Sequence, residues 1–206
     1  RFAKMWDLES GDNLAEFRSH GPEVRASFSV DRRFVVTGSD SIRVFNADEN
    51  SPEHGQTVFR LPRKVVGRRL IDDVCFSHAQ GDYRFTSIDS AGAVKVWDWK
   101  AGGPPPEKPI AETGEPSVPV ADWLEEEQIG VANVIRWSDD GQLVVAVQRG
   151  QLQMWKIQGD QLVKVEIELP DGAEYTFNCI DFSADNSMLT AGGLAYTVDG
   201  NPESRS

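Results

Sequence analysis

Apolar and polar residues alternate with a period of two through most of this chain, in short runs separated by Gly, Asp, Asn, Ser and Pro. The run Ala93-Val94-Lys95-Val96-Trp97-Asp98 is the clearest. Side chains two apart share one face of a strand, so Val94 and Val96 fall together, opposite Ala93, Lys95 and Trp97. The alternation predicts a strand with one buried face, and Trp97 is expected to be largely buried between neighbouring units. The same ending occurs at Lys4-Met5-Trp6-Asp7. Degraded copies occur at Ile42-Arg43-Val44-Phe45-Asn46 and Leu152-Gln153-Met154-Trp155-Lys156. A short strand recurring along a chain implies an array of like units.

Read in order, the chain predicts a strand over 1–7, a turn over 8–13 and a second strand over 14–18. The next unit runs through strands at 24–29, 34–39, 42–46 and 56–61, with a polar loop at 48–55. A further unit has strands at 72–77, 83–88 and 93–98, and a fourth strand is placed at 108–113. The third unit begins at Asn133 and continues through 143–147, the Trp155 strand and 162–167. A last pair of strands is expected at 179–183 and 188–193, then a weak third strand at 194–198. The polar tail over 199–206 predicts no regular structure. The fold class is therefore all-β, built of four-stranded antiparallel units: three full ones, with partial units at both ends.

These positions resemble the WD-repeat β-propeller family. The resemblance is carried by Trp-Asp at 6–7 and 97–98 and by the aromatic-Ser pairs at 28–29, 76–77, 137–138 and 182–183. Thr37-Gly38-Ser39 and His20 add to it. The resemblance covers nearly the whole chain except about residues 100–130. It implies that 1–206 is one propeller domain or a segment of a larger propeller, and the segment is the expected reading. In the family a Gly-His, a Ser or Thr, an Asp and the Trp form a hydrogen-bonded network in each blade. Here His20 follows Ser19 instead of Gly, and Phe45 replaces the Trp above Thr37 and Asp40. The Trp97 unit keeps Ser87 but has Ala91 near the expected Asp position.

Charge narrows the partners. Lys plus Arg is 21 and Asp plus Glu is 33, a net charge of −12, which argues against nucleic acid or an anionic membrane surface as the default partner. No run of eighteen apolar residues suggests a membrane span. The two cysteines, Cys75 and Cys179, lie in apolar strand contexts and are expected as buried, reduced thiols. That points to a reducing compartment: cytoplasmic, with the nucleus as the alternative. His20, His54 and His78 have no metal-ligand spacing, and neither a G-x-S-x-G nor a Gly-Lys-Ser/Thr phosphate loop occurs. No catalysis, metal or cofactor is expected. Asp139-Asp140-Gly141 reads as a tight turn between strands.

Two stretches are candidates for binding. Residues 100–130 break the repeat with Gly102-Gly103-Pro104-Pro105-Pro106 and further prolines, which stiffen the chain and forbid regular structure. Within this insertion Trp123, Leu124, Glu125, Glu126 and Glu127 make an aromatic anchor among acids, a residue type common at interface hot spots. The family resemblance places such blade-to-blade loops on the partner-binding face. The second stretch holds Arg60, Arg63, Lys64, Arg68 and Arg69, five cations within ten residues at a fourth strand and the loop after it. They could take phosphate groups or an acidic partner, or be a solvated face paired with Asp72, Asp73 and neighbouring acids. The expected function is a non-catalytic scaffold for other proteins, within a larger polypeptide or complex that completes its edges. The alternatives are a sensor or regulatory segment of a signalling protein, or a phosphoinositide or RNA binder acting through the cationic stretch.

Overall fold

The computed structural model describes residues 2–18, 25–114, 133–169 and 173–197. Five antiparallel sheets follow one another in chain order. Sheet A is the hairpin β1 (Phe2–Trp6) and β2 (Asn13–Arg18). Sheet B holds β3 (Arg25–Phe28), β4 (Phe34–Gly38), β5 (Ile42–Asn46) and β6 (Thr57–Leu61). A helical turn, α1 (Arg63–Val66), leads to sheet C: β7 (Ile71–Phe76), β8 (Phe85–Asp89), β9 (Val94–Trp97) and β10 (Ala111–Glu112). Sheet D holds β11 (Val134–Trp137), β12 (Leu143–Gln148), β13 (Gln151–Gln158) and β14 (Gln161–Val165). Sheet E is the hairpin β15 (Ala173–Phe182) and β16 (Leu189–Thr197). Sheets B, C and D are four-stranded meanders in which each strand pairs with the next. His20 and the tail over 199–206 lie outside the described residues.

Each first-to-second strand connection is closed by one serine. Ser138 donates its hydroxyl to the Asp140 carboxylate at 2.6 Å and accepts the Leu143 amide at 2.9 Å. Ser29 repeats this with Asp31 and Phe34, and Ser183 with Asp185 and Met188. The aspartate also accepts a backbone amide inside the turn, from Arg33, Gln142 or Ser187. Side chains thereby satisfy backbone groups that the ladder leaves over, and the turn geometry is fixed. In the Asp140 turn the chain reverses through Gly141 at φ +68°.

Period-two alternation gives sheets B, C and D two apolar faces, each packed on a neighbour, while sheets A and E pack on one neighbour each. Val36, Val44 and Leu61 of sheet B pack on Val74, Phe85, Trp97 and Trp99 of sheet C. On the other face of sheet C, Cys75, Val94 and Val96 meet Ile135, Val144 and Trp155 of sheet D. Trp97 is fully buried opposite Val94 and Val96, as the alternation predicts. Met5 and Phe17 of sheet A pack on Val35, Phe45 and Ala47, and Phe177 and Ile180 of sheet E pack on Val145 and Val147. The sheets approach closely: a Cβ at Gly38 would lie 2.5 Å from Ile71 Cγ2 and 2.6 Å from Val74 Cγ1. Gly38 is the residue that lets β4 lie against β7.

The structure corrects the sequence reading at several points. The weak third strand expected over 194–198 does not form, because β16 runs unbroken through Leu194 to Thr197 against β15. Strand β15 begins at Ala173, well before Cys179, and absorbs the extra length in a register shift between Phe177 and Cys179. Within the stretch 100–130 the fourth strand expected at 108–113 is only two residues long, Ala111 and Glu112, which pair with Val96 and Lys95 of sheet C. The segment after Leu61 is a helical turn instead of a loop, started by Pro62, whose φ of −73° is already near the helical value. Cys179 is exposed, in contrast to Cys75, because among the described residues its side chain lies outside the cluster that packs sheet E on sheet D.

Candidate functional site

The anchor residues Trp123, Leu124, Glu125, Glu126 and Glu127 lie outside the described residues. The cationic stretch is described in full. Arg60 sits on β6, Arg63 and Lys64 on α1, and Arg68 and Arg69 on the connection to β7, all five exposed. Two are tied to the β4–β5 turn: Arg60 reaches the Asp40 carboxylate at 3.8 Å and Ser41 Oγ at 3.2 Å, and Arg63 donates to the Asp40 carbonyl at 3.2 Å. Pairing with a neighbouring acid is made at Asp40, while the Asp73 carboxylate is engaged by sheet D. That carboxylate accepts the Ile135 amide and Arg136 Nη1 of sheet D at 3.2 and 2.8 Å, while Asp72 accepts Asn133 Nδ2 at 2.8 Å. Asp72 and Asp73 thus join sheets C and D. Lys95 donates to the Val66 carbonyl at 2.7 Å and pins the end of α1 to sheet C.

A constellation the sequence did not predict joins sheets C and D. Cys75 Sγ lies 3.9 Å from His78 Nε2, and His78 Nδ1 lies 3.1 Å from Asp139 Oδ1. The order is that of a nucleophile, a base and an orienting carboxylate. The chemistry is not: burial pushes the Cys75 thiol up to about 11, and the side chain has no exposed approach for a substrate. Among the described residues no group of three His, Cys, Asp or Glu side chains is arranged to hold a metal ion, and no helix is long and apolar enough to cross a membrane.

A cleft of about 690 Å³ opens between sheets A and B. Met5, Trp6 and Leu8 form one wall, and Phe28, Arg32 and Arg33 the other. Asp31, at its edge, is lost to the cleft as a free acid. Its partial burial would raise its pKa, but hydrogen bonds from Ser29, Tyr83 and the Arg33 amide outweigh that and hold the carboxyl below its ordinary value. The sequence contained a signal for this surface. Aligning Trp6 with Trp97 places Leu8 where Trp99 stands; Trp99 is buried among Phe34, Phe59 and Tyr83, whereas Leu8 is 98% exposed.

Polar links run from turn to turn along the same side of the stack. Tyr83 donates its hydroxyl to Asp31 at 2.6 Å, Arg84 donates to the Gly141 carbonyl at 3.1 Å, and the Asp139 amide donates to Asn186 Oδ1 at 2.7 Å. Consecutive first-to-second-strand turns are therefore hydrogen-bonded to one another. The result is a surface braced turn to turn among the described residues. No protein-family model and no curated protein matches the chain.

Proposed function

We propose that this chain is a segment of a WD-type β-propeller acting as a non-catalytic scaffold for other proteins, in the cytoplasm or nucleus. One observation carries the reading. Each complete sheet is a four-strand meander, and its first strand lies beside the first strand of the next: β3 beside β7, β7 beside β11, β11 beside β15. A radial array of blades has that arrangement. Because each sheet packs on its neighbours alone, stiffness comes from the stack and the connecting loops are free to vary for recognition. The inert Cys75 thiol and the net charge of −12 fit a protein partner better than a small substrate or nucleic acid.

A second reading takes the exposed side chains of Arg63, Lys64, Arg68 and Arg69, gathered around α1, as a site for phosphate groups. One set of variants separates the two. Replacement of residues 123–127 by Gly and Ser should abolish capture of partner proteins in a cross-linked pull-down and leave the melting temperature unchanged. The double variant Arg68→Glu, Arg69→Glu should abolish binding to phosphoinositide vesicles if the second reading holds, with a steep salt dependence in the unmutated chain. Unchanged capture by the first variant rules out the insertion as the recognition element. No vesicle binding by the unmutated chain at low salt rules out the phosphate site.

A further inference from the structure

We propose that Arg43 and Arg60, with the hydroxyls of Thr37 and Ser39, form a site for a phosphate group carried on a side chain of a protein partner. Sheets A and C each set an acid beside the cation that precedes the strand's tryptophan by two. Lys4 of β1 faces Glu16 of β2, and Lys95 of β9 faces Glu112 of β10, each pair at 3.9 Å. The register of sheet B puts Arg43, two residues before Phe45, in the cation's place and Arg60 in the acid's. Like charges directly opposite one another repel. Thr37 stands on the other side of Arg43, as Ser87 stands beside Lys95. Ser87 accepts the Trp97 indole N–H at 3.0 Å, whereas Phe45 has no donor and Thr37 Oγ1 is buried without a partner. Ser39 Oγ, two residues on, is buried without a partner as well. Sheet B has thus lost both groups that satisfy the equivalent row of sheet C.

The row is internal to the stack. By alternation it shares the face of Val35 and Phe45, which packs on sheet A. Thr37 and Ser39 are 1% exposed and Arg43 is 6% exposed. Arg43 donates Nη1 to the Arg18 carbonyl at 2.6 Å and, among the described residues, pairs with no carboxylate. Asp40, in the β4–β5 turn, reaches Arg60 Nη2 at 3.8 Å. Burial and the charge of Arg60 lower the Arg43 pKa by more than Asp40 raises it. A guanidinium this deep is ordinarily paired. The Arg60 side chain is 49% exposed, so the row opens to solvent at β6. Two guanidinium forks and two hydroxyls suit a group with more oxygens and more charge than a carboxylate. A phosphate monoester has three terminal oxygens and about two negative charges. The net charge of −12 disfavours a lipid surface or nucleic acid as its carrier. The identity of the carrier rests on the scaffold reading; the anion site itself does not, and it is distinct from the cations gathered around α1.

Isothermal titration at constant ionic strength tests the site with inorganic phosphate, with the peptide Gly-phosphoserine-Gly and with its unphosphorylated form. The unmutated chain should bind the first two and not the third. Arg60→Glu rebuilds the cation–acid row of sheets A and C, so phosphate affinity should fall at least about tenfold while the melting temperature does not drop. Thr37→Val removes a hydroxyl that the fold leaves unsatisfied. It should weaken phosphate binding, and without phosphate its melting temperature should be no lower than the parent's. The double variant Arg68→Glu, Arg69→Glu should bind phosphate as the parent does. No phosphate binding by the unmutated chain overturns the site, and so does binding that survives Arg60→Glu or is lost in the Arg68, Arg69 variant. A lower phosphate-free melting temperature for Thr37→Val overturns it too, because the hydroxyl would then have a partner within the fold. Equal affinity for acetate overturns the choice of phosphate. Capture by phosphoinositide vesicles without binding of the phosphoserine peptide overturns the choice of a protein carrier. The phosphate titration needs no partner protein, so its failure leaves the scaffold reading, tested by partner capture, standing.

Discussion

Single residues in this chain take their chemistry from which face of a sheet they occupy. Trp97 donates its indole N–H to Ser87 at 3.0 Å, a side-chain bond inside sheet C. In sheet B the corresponding pair is Phe45 and Thr37, and Thr37 Oγ1 is buried with no hydrogen-bond partner. The replacement of Trp by Phe was visible in the sequence, and so was the loss of the donor. Cysteine was less legible. Both thiols sit in alternating apolar contexts, but Cys75 faces sheet D, whereas Cys179 follows a register shift and lies outside the cluster that packs sheet E on sheet D. Sequence alternation reports which residues share a face; it does not report whether a neighbour covers it. The Cys75–His78–Asp139 constellation was illegible because its third member comes from another sheet. Under native conditions at pH 8, iodoacetamide should modify Cys179 within minutes and spare Cys75, whose thiol is held up at about 11; denaturant should release both. Rapid native alkylation of Cys75 would mean that its sulfur is a thiolate activated by His78.

At the scale of the strand and turn, strand existence was read correctly wherever alternation ran for four residues or more between turn signals. The errors fall where another constraint wins. Proline density shortened the fourth strand expected at 108–113 to the two residues of β10, Pro62 turned a loop into α1, and β16 outran its alternation because Gly192 and Gly193 carry no face information. The serine–aspartate turn is written in the sequence as Ser29-x-Asp31, Ser138-x-Asp140 and Ser183-x-Asp185, directly after the aromatic-Ser pairs that carry the family resemblance. Sheet C departs from it: Ser77 donates to Asp82, five residues on, at 2.6 Å, and Arg84 holds the same carboxylate. Burial would raise the Asp82 pKa, but Arg84 and Ser77 together hold it below its ordinary value of 3.8. Asp185, wholly exposed, is lowered to about 2 by Ser183 and Ser187. A depressed carboxylate stabilises the fold fully above its unfolded value and loses that contribution as pH falls through the folded one. The urea midpoint should therefore be flat from neutral pH down to about 5 and fall steeply below about 4. Asp82→Ala should cost about 1–3 kcal/mol at pH 7, the usual loss on removing a charged hydrogen-bond partner, and should flatten part of the acid limb. An acid limb as steep in the variant as in the parent would show that Asp82 carries none of the pH dependence.

Across the whole molecule, stability is distributed by how many faces of a sheet are covered. Sheets B, C and D are packed on both faces, and their apolar clusters hold the fully buried Trp97, Val44, Ile88 and Val144. Sheets A and E are hairpins covered on one face, with Phe2, Trp6, Met188 and Leu194 turned outward. A two-stranded sheet in water is marginal alone, so A and E depend on the single neighbour each rests against. In a linear stack of this kind opening propagates from the ends inward, because an end unit loses one interface and an internal unit must lose two. Native-state hydrogen exchange on dilute, monomeric protein should follow that order. Amides of β4, β5, β8 and β12 should exchange only through global opening, whereas those of β1 and β16 exchange through local opening with much smaller dependence on urea. Uniform protection from β1 through β16 would mean that the end sheets are locked together and that the stack opens as one cooperative unit.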